Sequence, residues 1–120
     1  MTALEMRTPE ALLAGLDPQA LLAAAREALE PELDAVAREA GTLCPVRTGA
    51  LRESISVRMA QEGASGEVVA GRPYAARVEL GSASHAARPF LYPAFMARRQ
   101  GMTERIARAV LRRAENGGDS

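Results

Sequence analysis

Residues 45–55 read PVRTGALRESI, and the organisation of the chain can be worked out from this stretch in both directions. Thr48-Gly49 predicts a turn, because a threonine hydroxyl can bond nearby backbone groups and glycine permits a positive φ. After the turn, apolar residues recur at every second position and most residues between them are polar. This alternation predicts a strand with one buried face. The apolar set is Leu51, Ile55, Val57 and Met59.

Two further strands are expected downstream of this one. Residues 62–66 are rich in glycine and predict a hairpin loop, and residues 68–70 predict a short second strand. Residues 74–80 read YAARVEL, in which apolar and polar positions alternate, and this pattern predicts a third strand. Residues 51–80 are therefore expected to form an antiparallel sheet of three to four strands.

Helices are expected on both sides of the sheet. Asp17-Pro18 is typical of a helix start, and apolar spacings of three, four and seven predict a helix over residues 17–43. Pro31 should kink or break it. Pro93 can open a second helix over residues 93–114. Residues 1–16 are taken as an N-terminal extension, 81–92 as an extended arm loop and 115–120 as a flexible tail.

The length and composition bound the architecture. The 120 residues predict a single α+β domain of long helix, antiparallel sheet, arm loop and C-terminal helix. Alanine supplies 25 residues of the 48% hydrophobic fraction, so the core should be thin and gain stability from neighbouring copies. The net charge is zero, but residues 1–44 are acidic and residues 81–120 basic. This layout suits either head-to-tail contact between copies or two solvated helix faces.

Enzymatic chemistry finds little support in these residues. Cys44 and His85 are the only cysteine and the only histidine, and no third residue completes a catalytic group with them. Cys44 is read as a small packing residue and His85 as an exposed loop residue. No metal site and no cofactor are expected. The arginines of residues 98–113 could contact nucleic acid, but the neutral chain favours a solvated or interface-forming face.

Signals for export or membrane insertion are not expected either. The N-terminus has no basic region followed by an apolar run, and no window approaches 18 uninterrupted apolar residues. With a single cysteine no intrachain disulfide can form. The expected setting is a reducing cytosol, with no membrane partner.

Three short stretches, residues 45–55, 74–81 and 87–95, are called the motif islands below. Their order and spacing resemble those of a family of bacteriophage neck proteins, the head–tail joining or tail-completion proteins of long-tailed phages. The family pattern is a long helix, then a proline and Thr-Gly-x-Leu-x-x-Ser-Ile, then Tyr-Ala-x-x-Val-Glu-x-Gly, then Arg-Pro-Phe-Leu-x-Pro-Ala before a second helix. The residues of this chain that match are Pro45, Thr48, Gly49, Leu51, Ser54, Ile55, Tyr74, Ala75, Val78, Glu79, Gly81, Arg88, Pro89, Phe90, Leu91, Pro93 and Ala94. The match covers about residues 20 to 112. Leu80, where an aromatic is common, and Pro31 depart from the pattern.

The resemblance implies a virion structural protein without catalytic activity. Copies would form a ring at the neck that joins the head connector or adaptor to the tail tube or tail terminator, with genomic DNA passing through its channel. A sixfold ring, a hexamer, would match a tail tube, and a twelvefold ring would match a portal; sixfold is favoured. A tail terminator or tail-tube-end subunit is the alternative, and a nucleic-acid-binding regulator is a more distant one.

The contacts between subunits are expected at the motif islands. The arm could dock on its own sheet or on a neighbour, and the working hypothesis is a neighbour, with Phe90 and Tyr92 as anchors stiffened by Pro89 and Pro93. Glu79 is expected to pair with an arginine of the last helix across subunits. The expected interface residues are Thr48, Gly49, Leu51, Ser54, Tyr74, Glu79, Gly81, Arg88, Pro89, Phe90, Tyr92 and Pro93.

Overall fold

A computed structural model of the chain describes residues 17–117, which form five helices and a two-stranded sheet. The extension predicted for residues 1–16 and the end of the predicted tail, residues 118–120, lie outside this range. In chain order the elements are α1 (Pro18–Leu43), α2 (Ala50–Glu53), β1 (Ile55–Met59), β2 (Gly66–Ala70), α3 (Ala75–Leu80), α4 (Leu91–Arg99) and α5 (Met102–Gly117).

The first helix confirms the prediction from Asp17-Pro18. The Asp17 carboxylate accepts a hydrogen bond from the backbone N–H of Ala20 at 2.7 Å and caps the helix, with Pro18 in its first turn. A break at Pro31 is ruled out, since α1 continues through it to Leu43. Pro31 is exposed, and buried residues on either side, Ala24 and Leu33, hold both halves of the helix against the core.

The sheet has two strands within the described residues, fewer than predicted. β1 and β2 pair antiparallel, with Ile55 opposite Ala70 and Met59 opposite Gly66. The alternation predicted for β1 is confirmed, since Ile55, Val57 and Met59 are half-buried while the intervening residues are exposed. A Cβ at Gly66 would lie 2.8 Å from Leu33 Cδ1, so glycine there lets the sheet approach α1 closely.

The third predicted strand is wrong, because residues Ala75–Leu80 form the helix α3. A pair of alanines favours helix, and the apolar residues Tyr74, Ala75 and Val78 also fit a helical spacing of three and four. All three lie in or against the core, as a helical face would. Leu51, predicted as the start of β1, lies instead in the one-turn helix α2.

The C-terminal helix predicted for residues 93–114 is two helices. α4 starts at Leu91, which puts Pro93 within its first turn, and the chain leaves helical geometry at Gln100 and Gly101 before α5. Gly101 has a φ of 75°, a left-handed conformation that suits glycine. α5 extends to Gly117, so the first residues of the predicted tail are helical.

The core lies where α1 meets α2, α3 and the start of α4. Its buried residues are Val36, Ala40, Cys44, Leu51, Ala75, Phe90 and Ala94. Phe90 is the largest side chain that is fully buried, and alanines supply three of the other positions, so the core is as thin as the composition predicts. Among the described helices, none combines the length and apolar character needed to span a membrane.

The oppositely charged ends of the chain meet within one molecule. Arg105 of α5 binds both carboxylate oxygens of Glu32 on α1, and Arg113 binds Glu27 at 2.6 Å. Arg26 lies four residues before Glu30 on α1, a spacing that allows an ion pair, but its guanidinium donates to the carbonyl oxygens of Ala60 and Gly63 in the hairpin loop. Some of the acidic residues of α1 and the basic residues of α5 are therefore paired within one chain. Fewer of them are available for contacts between copies.

Candidate functional site

The carboxylate of Glu79 connects two of the three motif islands. It accepts hydrogen bonds from the backbone N–H groups of Phe90, Leu91 and Tyr92 at 3.0, 2.9 and 3.0 Å. These are the unpaired donors at the start of α4, where a negative charge also interacts favourably with the helix dipole. Glu79 thus fixes the position of α4 relative to α3.

The protonation of Glu79 follows from this geometry. Burial of the carboxyl raises its pKa, but the three backbone hydrogen bonds to the charged form outweigh burial and lower the pKa below the ordinary value of 4.5. Glu79 is therefore an anion at neutral pH. Three of its acceptor positions are already occupied, which leaves it little capacity for the predicted ion pair with an arginine of a neighbouring subunit.

The segment predicted as an extended arm folds back on its own chain. Gly81 has a φ of 80°, and a Cβ there would lie 2.8 Å from the backbone nitrogen of Ala87. Ser82 and His85 exchange backbone hydrogen bonds, and the N–H of Arg88 donates to the carbonyl of Val78 at 2.8 Å. Gly81 and Arg88 therefore serve to close a compact loop.

The two aromatic residues predicted as anchors have different surroundings. Phe90 is fully buried in its own core, so its assignment as an anchor on a neighbour is corrected. The loop positions Phe90 there because its backbone N–H and its preceding residues are bonded to α3. Tyr92 is 65% exposed, Pro89 is exposed and Pro93 is half-buried in α4. Of the arm residues, Tyr92 is the large apolar group available for contact.

The Thr48 island forms the turn that was predicted. Thr48 Oγ1 accepts a hydrogen bond from the N–H of Ala50, and Gly49 has a φ of 86°. Leu51, which follows in α2, is buried in the core. Ser54 Oγ donates to the carbonyl of Leu51 at 2.6 Å and accepts from the N–H of Gly71 at 3.1 Å, which connects this island to the end of β2.

These islands hold an exposed apolar surface on α4. Tyr92, Phe95 and Met96 occupy positions i, i+3 and i+4 of α4 and so share one side of the helix. Their exposed fractions are 65%, 42% and 39%. Leu80, at 78%, follows Glu79, whose carboxylate is bonded to the N–H of Tyr92. We refer to Leu80, Tyr92, Phe95 and Met96 as the α4 apolar face.

The sequence predicted only part of this face. Phe95, Met102, Ile106 and Val110 follow one another at steps of seven, four and four, a spacing that predicts a buried stripe, but Phe95 is 42% exposed. Val110 is buried, as this spacing predicts. Leu80 and Met96 were not identified. The predicted helix began at Pro93, two residues after the observed start at Leu91, and so excluded Tyr92. With the observed start, the spacing of Tyr92, Phe95 and Met96 indicates that they share one side of the helix.

Cys44 and His85 lie in different environments. Cys44 is buried in the core, as predicted, and burial raises the pKa of its thiol, an effect that Arg52 opposes. His85 is exposed, and its Nδ1 lies 3.1 Å from Ser84 Oγ. Within residues 17–117, no group of three or more histidine, cysteine or acidic side chains is arranged to hold a metal ion.

Comparison with protein-family models, with curated proteins and with solved structures gives no significant match to this chain.

Proposed function

We propose that the chain is a structural subunit of the bacteriophage neck, in which copies form a ring that joins the head connector to the tail tube around the DNA channel. The proposal starts from the motif islands and their order. The observation that carries it is the α4 apolar face, which remains exposed although both adjoining islands hold it rigidly through Glu79. A rigid, exposed apolar surface is typical of an interface between proteins.

The α4 apolar face is assigned as the contact between neighbouring subunits. Tyrosine and methionine are enriched at protein interfaces, and Tyr92 combines a large apolar ring with a hydroxyl that can remain hydrated. The face costs little ordering entropy on assembly, because Glu79 already fixes the start of α4. A sixfold ring is favoured, since a tail tube has that symmetry.

The test is the oligomeric state of the purified protein. Light scattering after gel filtration and negative-stain microscopy should find rings for the natural sequence. The double variant Tyr92→Ala/Phe95→Ala should remain a folded monomer, since both side chains are exposed and neither belongs to the buried core. The matched control is Leu22→Ala/Val46→Ala, which removes two apolar side chains of similar exposure outside the face and should still form rings.

Three outcomes would count against the proposal. A protein that stays monomeric at millimolar concentration, and is missing from purified phage particles, would overturn the neck role. Rings that form equally well in the double variant would overturn the assignment of the face. Assembly into long tubes, or capping of tube ends, would favour the tail-tube-end alternative.

A further inference from the structure

A cleft with a volume of about 790 Å³ opens between the Thr48 turn, α3 and the loop that follows α3. All three motif islands contribute to its lining. The volume lies within the range of pockets that hold ligands in proteins, roughly 300–1,000 Å³. No role described above accounts for this cavity, which we call the arginine cleft.

The charged lining of the cleft is entirely basic. Arg47, Arg77 and Arg88 line it together with His85, and none of the lining residues among residues 17–117 is acidic. In the same part of the chain no carboxylate lies within 4.0 Å of these three guanidinium groups. The acidic residue of α3, Glu79, is bonded to the start of α4 instead.

The arginines of the cleft lack the carboxylate partners that three other arginines of the described residues have. Arg58, Arg105 and Arg113 each have a carboxylate partner in the same chain. Three guanidinium groups around one cavity repel each other, and the positive potential between them attracts an anion. The arrangement is the one expected of an arginine cluster that recognises an acidic ligand.

The walls of the cleft are largely apolar. Pro45, Leu51, Tyr74 and Val78 line it between the charged residues. Leu51 is buried, and Tyr74 and Val78 are half-buried and packed against the core, so these walls are held in place. A ligand that fits must therefore present an apolar group to the walls and negative charges to the arginines.

We propose that the arginine cleft binds an acidic segment of a partner protein, with an apolar side chain against Leu51, Tyr74 and Val78 and carboxylates on Arg47, Arg77 and Arg88. Planar guanidinium groups bind carboxylates through two parallel hydrogen bonds, which fixes the direction of the bound segment. The inference does not depend on the neck role, because any protein with this cleft could use it for docking.

A peptide fits these walls better than nucleic acid does. A phosphate backbone offers charge but no apolar side chain for Leu51 and Val78. Stacking of bases needs a row of aromatic rings, and Tyr74 is the one aromatic residue in the cleft among the described residues. The preference for a protein segment follows from these walls, and nucleic acid becomes an outcome of the test.

The test is a selection of random dodecapeptides displayed on phage against the full-length protein. Binding should enrich peptides that combine two or more acidic residues with a leucine or an aromatic residue. A synthetic peptide of the selected sequence is then titrated by fluorescence anisotropy against the natural protein. The variant Arg47→Gln/Arg77→Gln/Arg88→Gln should lose affinity by about 100-fold, since each lost charge-assisted hydrogen bond weakens binding several-fold or more.

A matched control separates this site from general attraction to positive charge. The variant Arg38→Gln/Arg108→Gln/Arg112→Gln removes the same charge from exposed positions on α1 and α5, outside the cleft, and should bind the peptide within about threefold of the natural protein. Circular dichroism melts of both variants confirm that the fold is retained.

Several results would overturn the proposal. These are a selection without acidic, apolar peptides, an equal loss of affinity in the control variant, or tighter binding of a single-stranded 20-nucleotide DNA in the cleft. Self-association that the cleft variant abolishes and the control retains would place a second copy there, and not a separate partner. The peptide selection and the peptide titration are independent of ring formation, so failure here and failure of the neck role are distinguishable.

Discussion

Glu79 joins two segments that lie more than ten residues apart in the sequence. Its carboxylate satisfies three donors at the start of α4, and the same contacts bring Phe90 into the core. Residues 79–92, which were predicted as a strand end and an extended arm, are therefore a helix cap and a folded loop. Glu79 therefore makes its contacts within one chain. It could affect contacts between proteins only by fixing the position of Tyr92.

Replacement of the Glu79 carboxylate should destabilise the protein in a pH-dependent way. Glu79→Gln keeps one acceptor oxygen but loses the charge, which should cost about 1–2 kcal/mol at pH 7, the usual value of a helix cap or a charge-assisted hydrogen bond. The pKa of Glu79 is lowered in the folded state, so its stabilisation is complete above the unfolded value of 4.5. It is lost as the pH falls through the folded pKa.

The measurement is urea unfolding of the natural protein and Glu79→Gln between pH 7 and pH 3. The difference in unfolding free energy should shrink below about pH 4.5. Glu32 also has a pKa lowered by its hydrogen bonds with Arg105, but it is present in both proteins and cancels in the difference. Glu62→Gln, in the exposed hairpin loop, is the control. A constant difference across this range would contradict the role of the carboxylate.

Phe90 and Tyr92 should respond differently to truncation. Phe90→Ala removes the largest fully buried side chain and should lower the unfolding free energy by about 3–5 kcal/mol, since it leaves a cavity in the core. Tyr92→Ala, at an exposed position, should change it by less than about 0.5 kcal/mol. Guanidinium unfolding of the monomers measures both. A stable Phe90→Ala protein would restore the anchor hypothesis for that residue.

Among the helices and strands, the sequence predicted correctly those that are determined by residues close together in the chain. Asp17-Pro18 marked the start of α1, and the alternation after Leu51 marked β1, because capping and burial act within a few residues. Residues 74–80 were assigned wrongly, since a segment of seven residues is too short to separate a period of two from one of 3.6.

The start of α4 and the arginine cleft could not be predicted from the sequence. α4 begins where a carboxylate from another element satisfies its N–H groups, and nothing within residues 88–93 reports that contact. The cleft is likewise formed by three segments that the fold brings together. The bonds between the motif islands depend in the same way on tertiary structure.

Pro31 should lower the stability of α1. The residue is exposed within a continuous helix, where proline removes one backbone hydrogen bond and crowds the preceding turn. Pro31→Ala should therefore raise the unfolding free energy by about 1–2 kcal/mol, less than the full helix penalty because proline also restricts the unfolded chain. Thermal melts measure the change, with Asp34→Ala as an exposed control. A lower melting temperature would show that α1 needs the proline.

For the whole molecule, the ion pairs between α1 and α5 decide how firmly the C-terminal helix is attached. The Glu32 side chain is 12% exposed and binds Arg105 through both oxygens, whereas Glu27 and Arg113 are both more than half exposed. Partly buried, two-point contacts are less screened than exposed ones. Glu32→Gln should therefore lower the urea midpoint at least about twice as far as Glu27→Gln.

Salt provides the check on this difference. Between low and high sodium chloride the effect of Glu27→Gln should disappear, while that of Glu32→Gln should persist, because solvent ions reach the exposed pair more readily. Equal shifts for the two variants would contradict the larger contribution of the Glu32–Arg105 pair. Midpoints equal to that of the natural protein would mean that α5 is held by its apolar contacts alone.

The closed loop after α3 makes the chain suitable for labelling. Its ends are fastened by the bond between Arg88 and Val78 and by the Glu79 cap, while residues 82–89 are exposed. Lengthening a loop whose ends are fixed costs only a fraction of a kcal/mol per doubling. An epitope inserted between Ala83 and Ser84 should therefore alter the Ser82–His85 turn but leave the helices and the sheet intact, and it should be accessible to an antibody fragment.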